Sequence, residues 1–387
     1  MGKEPMTPSA RAQAAIELLD EVIVAAREGG AAADTLIARY FRTRRYAGSG
    51  DRRAVRELVF AAIRRAANRP ASGRAALLGL PDVAALFDGS PHGPAAVDPD
   101  EPVARAGIAP TWLLKRFDPV VERDEMPALL ERAPLDLRVN RLKIARDEVE
   151  IEGAVPTPHS PFGLRLPEGT KVEQDGRVEI QDEGSQLIAL ACAAAPGMVV
   201  VDLCAGAGGK TLALAAVMAN QGRLIACDTD RGRLSRLSPR LERAGVTIVE
   251  SRLLDPGREA QALDDLSGTA DLVLVDAPCS GSGTWRRNPE TRWRITPDRL
   301  TALTALQARL LDLAAALVKP SGALVYAVCS LLAEEGRDQA EALTARSSLV
   351  PEPLSMAAGR PAGPGLLLSP ARDGTDGFFI ARWRRPC

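Results

Sequence analysis

Histidine, lysine and paired cysteine are all scarce in this sequence. Two histidines in 387 residues, and no Cys-x-x-Cys pair, leave no spacing suited to a zinc site. The six cysteines, at 192, 204, 227, 279, 329 and 387, are too scattered for a disulfide framework. No apolar run approaches the roughly 18 residues of a membrane span. The start, Met1-Gly2-Lys3-Glu4-Pro5-Met6, lacks the apolar core of a secretory signal, and Met6 stands where a myristoylation motif wants Ser or Thr. The expectation is a cytoplasmic protein with neither membrane nor metal. Internal repeats and low-complexity tracts are absent.

Six lysines face 43 arginines. The excess itself reads as the codon bias of a GC-rich genome, so only its clustering bears on function. The net charge is −1, yet residues 1–80 hold 14 basic and 8 acidic residues, a balance of +6. Arginine suits phosphate because its planar fork grips two oxygens.

Hydrophobic residues make up 46% and charged residues 26%, which supports packed cores and two or three domains. Residues 9–66 read as helices. Ile16, Leu19 and Ile23 form one apolar stripe, and Val55, Leu58, Val59, Ala62 and Ile63 a second. Asp51, after Gly48-Ser49-Gly50, is the expected N-cap of the last helix. Arg52, Arg53, Arg56, Arg64 and Arg65 surround it as candidate RNA contacts, against the plainer alternative of solvated arginines on a helical bundle. Residues 89–101 are rich in Pro, Gly and Asp and read as a linker. A helical pattern spans 102–132, then a strand near 134–140, a short helix over Ala145–Glu152, and strand-like sequence through Ile180.

From about 181 the pattern alternates. Strands are expected at Met198–Leu203, Arg223–Cys227, Thr247–Glu250, Asp271–Val275 and Ala323–Val328, with helices Lys210–Asn220 and Arg299–Val318 among those between. Such alternation predicts a parallel sheet covered on both faces, with ligands beyond the carboxyl ends of the strands. The motifs fall there. Cys204-Ala205-Gly206-Ala207-Gly208-Gly209-Lys210-Thr211 follows the first strand. A phosphate-binding P-loop needs glycine where Cys204 stands, and a dinucleotide fingerprint needs Gly or Ala where Thr211 stands. A methyltransferase loop fits, with Asp202 ahead of the glycines and Asp228 ending the second strand, where a carboxylate can accept both ribose hydroxyls. Asp255, beyond the third strand, is placed to meet an adenine amino group, or else is a solvated loop residue.

Two cysteines end strands. Cys279 lies in Asp276-Ala277-Pro278-Cys279-Ser280-Gly281, and Cys329 in Tyr326-Ala327-Val328-Cys329-Ser330. A buried small hydrophobe is the usual fate of a free cysteine. That explains Cys192 and Cys227 better than these two, while Cys204 is structural, its backbone lining the loop. After Cys279, Trp285 with Arg286, Arg287, Arg292 and Arg294 forms an aromatic-and-basic segment suited to stacking on bases and contacting phosphate; the alternative is that Trp285 only packs.

These motifs together resemble the RNA cytosine-5 methyltransferases of the RsmB/Sun family, from about residue 10 to the end. The resemblance implies a class I S-adenosylmethionine-dependent methyltransferase, an α/β Rossmann-like sheet over 181–387. An all-helical NusB-like RNA-binding domain would cover 1–132, and a small α/β subdomain 133–180. It implies S-adenosylmethionine held by residues 204–210, Asp228, Arg233, Asp255 and Asp276. Cys329 would be the nucleophile, Cys279 the residue assisting product release, and Asp276 a hydrogen-bond partner of the cytosine. Gln181-Asp182-Glu183-Gly184-Ser185 matches the family's entry to the catalytic domain, in a capping and supporting role. Small-subunit ribosomal RNA is the implied substrate and a monomer the implied state. Two departures stand out: Val328 replaces a usual Thr, and Gly336 a frequent Asn. Pro278-Cys279 would also suit a DNA cytosine methyltransferase with Cys279 as attacker; the second cysteine, the Lys210-Thr211 loop ending and the basic helical region favour RNA. A transfer RNA substrate, and a non-catalytic RNA-binding assembly factor, are the remaining alternatives.

Overall fold

The computed structural model describes residues 5–387, so most of the Met1–Met6 stretch lies outside the described residues. The chain divides into two compact units. The first takes in the chain up to Phe117, Met126–Glu131 and Thr284–Thr296; the second takes in Asp118–Glu125, Arg132–Gly283 and Pro297–Cys387. Residues 284–296 thus belong to the helical unit, although chain order alone groups them with the sheet.

In the helical unit the expected stripes become cores. Helix α1 (Pro8–Glu28), α2 (Ala33–Thr43), α3 (Ser49–Arg65) and α4 (Gly73–Leu78) bury Leu18, Leu19, Val55, Val59 and Ile63 among themselves. Helix α3 begins two residues before Asp51. The Asp51 carboxylate therefore caps from inside the first turn, accepting the Gly48 N–H at 3.1 Å. Segment 284–296 serves the helix ends. Arg292 Nη2 donates to the carbonyls of Ile63, Arg64 and Ala66 at 2.5, 2.9 and 2.8 Å, at the C-terminus of α3. Arg294 donates to the carbonyls of Gly30 and Ala31, and Glu290 accepts the Ala33 N–H that opens α2. A cation thus sits at carboxyl ends and an anion at an amino end, where unsatisfied backbone groups and the helix dipole favour each. Between residues 102 and 132 the helical pattern is realised only as α5 (Thr111–Leu114) and a 3-10 segment, Arg123–Leu130.

The second unit holds two sheets. The smaller is antiparallel, in the order β2 (Val155–Pro156), β3 (Gly163–Leu166), β1 (Leu135–Val139), β4 (Val178–Ile180). The helix expected over Ala145–Glu152 is a single 3-10 turn, Arg146–Glu148. Its β-branched Val149 and Ile151, followed by Gly153, do not favour a longer helix.

The larger sheet has a parallel centre in the order β9 (Val318–Val328), β8 (Ala270–Asp276), β5 (Val199–Asp202), β6 (Arg223–Asp228), β7 (Val249–Leu253). Strand β7 lies two to three residues beyond the expected Thr247–Glu250. The edge past β9 is antiparallel and includes the hairpin of β10 (Gly365–Leu368) and β11 (Phe378–Arg384). Strand order reverses at β5, so a crevice opens at the carboxyl ends of β5 and β8. Val200, Val201, Leu272, Val273, Leu274, Leu324 and Val325 are all buried, as strands covered on both faces require.

Helix Pro297–Leu317 is long and apolar enough on average to cross a bilayer by length and composition alone, although Arg309 and Asp312 interrupt its apolar run. In the fold it packs on β8 and β9, and its Gln307, Arg309 and Asp312 bond to partners in the same unit.

Candidate active site

The motif residues converge at the carboxyl ends of four neighbouring strands. The glycine loop leaves β5 at Asp202 and enters helix α7 (Gly209–Val217); helix α6 (Glu183–Ala191) precedes β5. Two ties hold the loop to β6. The Ala205 N–H donates to the Cys227 carbonyl at 2.8 Å, and the Gly206 N–H donates to Asp228 Oδ2 at 2.8 Å. Gly208 has φ +86° and passes so close to Leu237 that a Cβ would run into Leu237 Cδ1. A Cβ on Gly206 would meet nothing within 4 Å, so the loop has open space on that side. Arg240 supports the loop from behind, donating to the Ala207 carbonyl at 2.5 Å and to Glu179 on β4 at 2.7 Å.

Asp202 is fully buried and accepts the Thr211 hydroxyl at 2.7 Å, while its second oxygen is without a hydrogen-bond partner. Burial pushes its carboxyl up to about 7. Asp228 also accepts the Asp230 N–H at 2.7 Å. Arg233 and Asp255 lie on exposed surface near the ends of β6 and β7; the Arg233 guanidinium approaches Asp230 at 3.5 Å.

Lys210 and Asp276 form an ion pair of 2.6 Å, with the lysine side chain 11% exposed and the aspartate 29%. Burial opposes the Lys210 ammonium, but the Asp276 carboxylate outweighs it and holds the group above its ordinary value.

Cys279 and Cys329 are brought together. Their Sγ atoms are 3.3 Å apart, at the ends of the adjacent strands β8 and β9, and both residues are half-buried. The hydrogen bond to Cys329, then burial, push the Cys279 thiol well above the ordinary range. Cys192, Cys204 and Cys227 are different. Burial raises all three thiols, that of Cys227 to about 12, and none has a thiol partner. They fit the reading of packed or loop-lining residues.

The aromatic-and-basic segment is corrected. Trp285 is fully buried with its ring edge-on to Phe117 at 5.7 Å, and Arg286 and Arg292 are buried too. Burial leaves the Trp285 ring no face for a base; its large apolar area goes to packing instead. Arg287 is half-buried. On α3, Arg52, Arg53 and Arg56 are exposed; Arg52 donates to the Ala47 carbonyl, and Arg56 pairs with Asp34 at 2.5 Å.

Sequence reasoning missed Glu335, Gln307 and Arg240. Glu335 is buried behind the cysteine loops, where the Ser280 N–H and the Ser280 and Ser330 hydroxyls all reach it. Its only sequence signal is its place in the acidic pair Glu334-Glu335.

The family model described as 16S rRNA methyltransferase RsmB/F matches residues 189–384. Ribosomal RNA small subunit methyltransferase B of Salmonella typhi is 35% identical over 291 residues, a match that spans 71% of this chain and 66% of that protein. The crystal structure of PH0851 superposes with a TM-score of 0.76 at 24% identity, covering 99% of this chain and all of the other. That of NSun6 from Pyrococcus horikoshii with SFG gives 0.59 at 21% identity, covering 67% and 93%.

Proposed function

The chain belongs to the RsmB/F family of 16S rRNA methyltransferases, and we propose that it methylates C5 of a cytosine in small-subunit ribosomal RNA through a covalent bond to Cys329. The observation that carries this reading is the pair of strand-end sulfurs 3.3 Å apart beside the Lys210–Asp276 ion pair.

S-adenosylmethionine is the methyl donor we assign, and the residues present fit it. The glycine loop offers open space at Gly206, and Asp228 stands at the end of β6 with Oδ2 turned toward the loop. Residues 204–210 and Asp228 would hold it, with Arg233 and Asp255 at the rim. NSun6, a fold neighbour, was crystallised with SFG. When bound, the cofactor supplies an electrophilic methyl group.

Cytosine C5 is a poor nucleophile, and the chain's own residues correct this. The Cys329 thiolate adds to C6, forming a C–S bond and moving electron density to C5. Lys210 holds Asp276 in place through the 2.6 Å ion pair. Asp276, with one oxygen on Lys210, keeps the other to accept from the cytosine amino group, or from N3–H once N3 is protonated in the adduct, which it stabilises. Once C5 carries the methyl, a base removes the C5 proton, the C5–C6 double bond returns and the C–S bond breaks. Cys279, held as a thiol, donates a hydrogen bond to the departing Cys329 sulfur. The exposed arginines Arg52, Arg53 and Arg56, with Arg287, are the phosphate contacts we retain from the basic set; Trp285 and Arg286 are packing residues.

Gly208→Ala is expected to destabilise the fold by about 1–3 kcal/mol, the range for a residue forced into left-handed backbone. It should also weaken cofactor binding, because a side chain strained at φ +86° shifts the loop. Melting temperature and calorimetric titration with S-adenosylmethionine check both effects.

The function itself is tested by incubating the protein with unmodified small-subunit ribosomal RNA and labelled S-adenosylmethionine, then digesting the RNA to nucleosides for mass spectrometry. Labelled 5-methylcytidine is the expected product. Label on another atom or base overturns the chemistry. Label appearing only with transfer RNA moves the substrate, and cofactor binding without transfer to any RNA turns the reading to an assembly factor.

A further inference from the structure

A buried carboxylate is costly unless its oxygens are bonded, and a hydrophobe of similar size would fill its space with less penalty. Glu335 is such a group, fully buried six residues beyond Cys329. Four neutral donors converge on it. Oε1 accepts the Ser280 N–H at 2.8 Å and Gln307 Nε2 at 3.1 Å. Oε2 accepts the Ser280 hydroxyl at 2.5 Å and the Ser330 hydroxyl at 2.6 Å.

Both serines directly follow the reactive cysteines. Gln307 also donates to the Pro278 carbonyl at 2.9 Å, immediately before Cys279. A third hydroxyl closes the network. Ser282 accepts the Leu331 N–H at 2.9 Å and lies 3.0 Å from Ser330 Oγ, to which it donates because Ser330 spends its own proton on the carboxylate. The Glu335 backbone is anchored in turn, its carbonyl accepting the Tyr326 hydroxyl from β9 at 2.6 Å.

We propose that Glu335 is a positioning residue for both cysteines: one carboxylate, bonded to the residue after each, sets the spacing of the two sulfurs and aims Cys279 at Cys329. Its consequence for turnover rests on the adduct chemistry proposed above; the clamp itself does not. Beyond the hydrogen bond to Cys329 and burial, the charge of Glu335 adds to what keeps Cys279 a thiol.

The test uses Glu335→Gln in the full-length protein, with two readouts. The first is bridging by phenylarsine oxide, whose arsenic bonds two neighbouring thiols with loss of water. Peptide mass mapping should find Cys279 and Cys329 bridged in the wild type, bridged more slowly in the variant, and unbridged in Cys329→Ala. The second is steady-state methylation. A shift of about 1 Å in reacting groups costs about 10²-fold, so kcat should fall by that order while KM for S-adenosylmethionine stays unchanged. Wild-type bridging together with wild-type kcat overturns the proposal. So does a lowered melting temperature with kcat intact, which makes Glu335 a stability residue alone. If Glu335→Gln does not fold, the double variant Ser280→Ala, Ser330→Ala decides on the same readouts, since it keeps the carboxylate and cuts both of its hydroxyl ties. The adduct reading fails separately, when Cys279→Ala in an otherwise wild-type chain yields no protein–RNA adduct although bridging in the two-cysteine protein still depends on Glu335.

Discussion

Cys329→Ala is expected to lower methyl transfer by roughly 10⁴-fold or more, the size of loss seen when an attacking nucleophile is removed, while binding of S-adenosylmethionine is unchanged. One observation selects Cys329 over its neighbour. Cys279 is held toward the thiol form by its bond to Cys329 and by burial. The alanine variant removes only a sulfur from a half-buried position, so the sheet and the cofactor loop should survive it. Transfer of tritiated methyl groups to RNA, with calorimetry on the same sample, measures both parts. Residual activity within roughly tenfold of wild type, about 1.4 kcal/mol of barrier, would show that Cys329 is not the attacker. It would then turn attention to Cys279, as the Pro-Cys dipeptide allows.

Cys279→Ala should do something different: it should stop the reaction after the methyl group has moved. The departing Cys329 sulfur then loses the S–H that lies 3.3 Å away, and a poorer leaving group slows elimination. Protein joined to RNA should accumulate as a slow band on a denaturing gel, and sequencing its RNA should locate the modified cytosine. Adding Cys329→Ala to the same chain should abolish the band. Multiple turnover at the wild-type rate by Cys279→Ala would remove Cys279 from the release step. A band that persists without Cys329 would mean that another residue makes the bond.

Much of this site is legible in the residues because its parts are local. A strand ending in Asp, three glycines and a helix start form one continuous segment, and the turn at Gly208 demands glycine by its backbone angle alone. The strand-end cysteines stand out for a similar reason: each follows an apolar run and precedes serine, where a packed cysteine is out of place. The Trp285 segment misleads because its composition suits two environments equally. Tryptophan flanked by arginines describes an exposed stacking surface, and it also describes a buried segment whose guanidinium satisfies carbonyls at a helix end. Only the partners distinguish them, and those of Arg292 lie 226 to 229 residues away in the chain. Asp51 shows the same limit on a smaller scale, since a cap acting from inside the first turn and one acting from before it have nearly the same local sequence.

The sequence by itself determined the helical unit's apolar stripes, the parallel centre of the larger sheet, the cofactor loop and the candidate chemistry, because periodicity and strand–loop–helix motifs are written in adjacent residues. The tertiary structure alone decided the rest. It placed segment 284–296 in the helical unit, brought two sulfurs 50 residues apart in the chain to 3.3 Å, and gathered Ser280, Gln307 and Ser330 onto Glu335. Each of these depends on where separate strands and helices end in space. A hydrogen bond between distant segments leaves no period, spacing or composition in either of them.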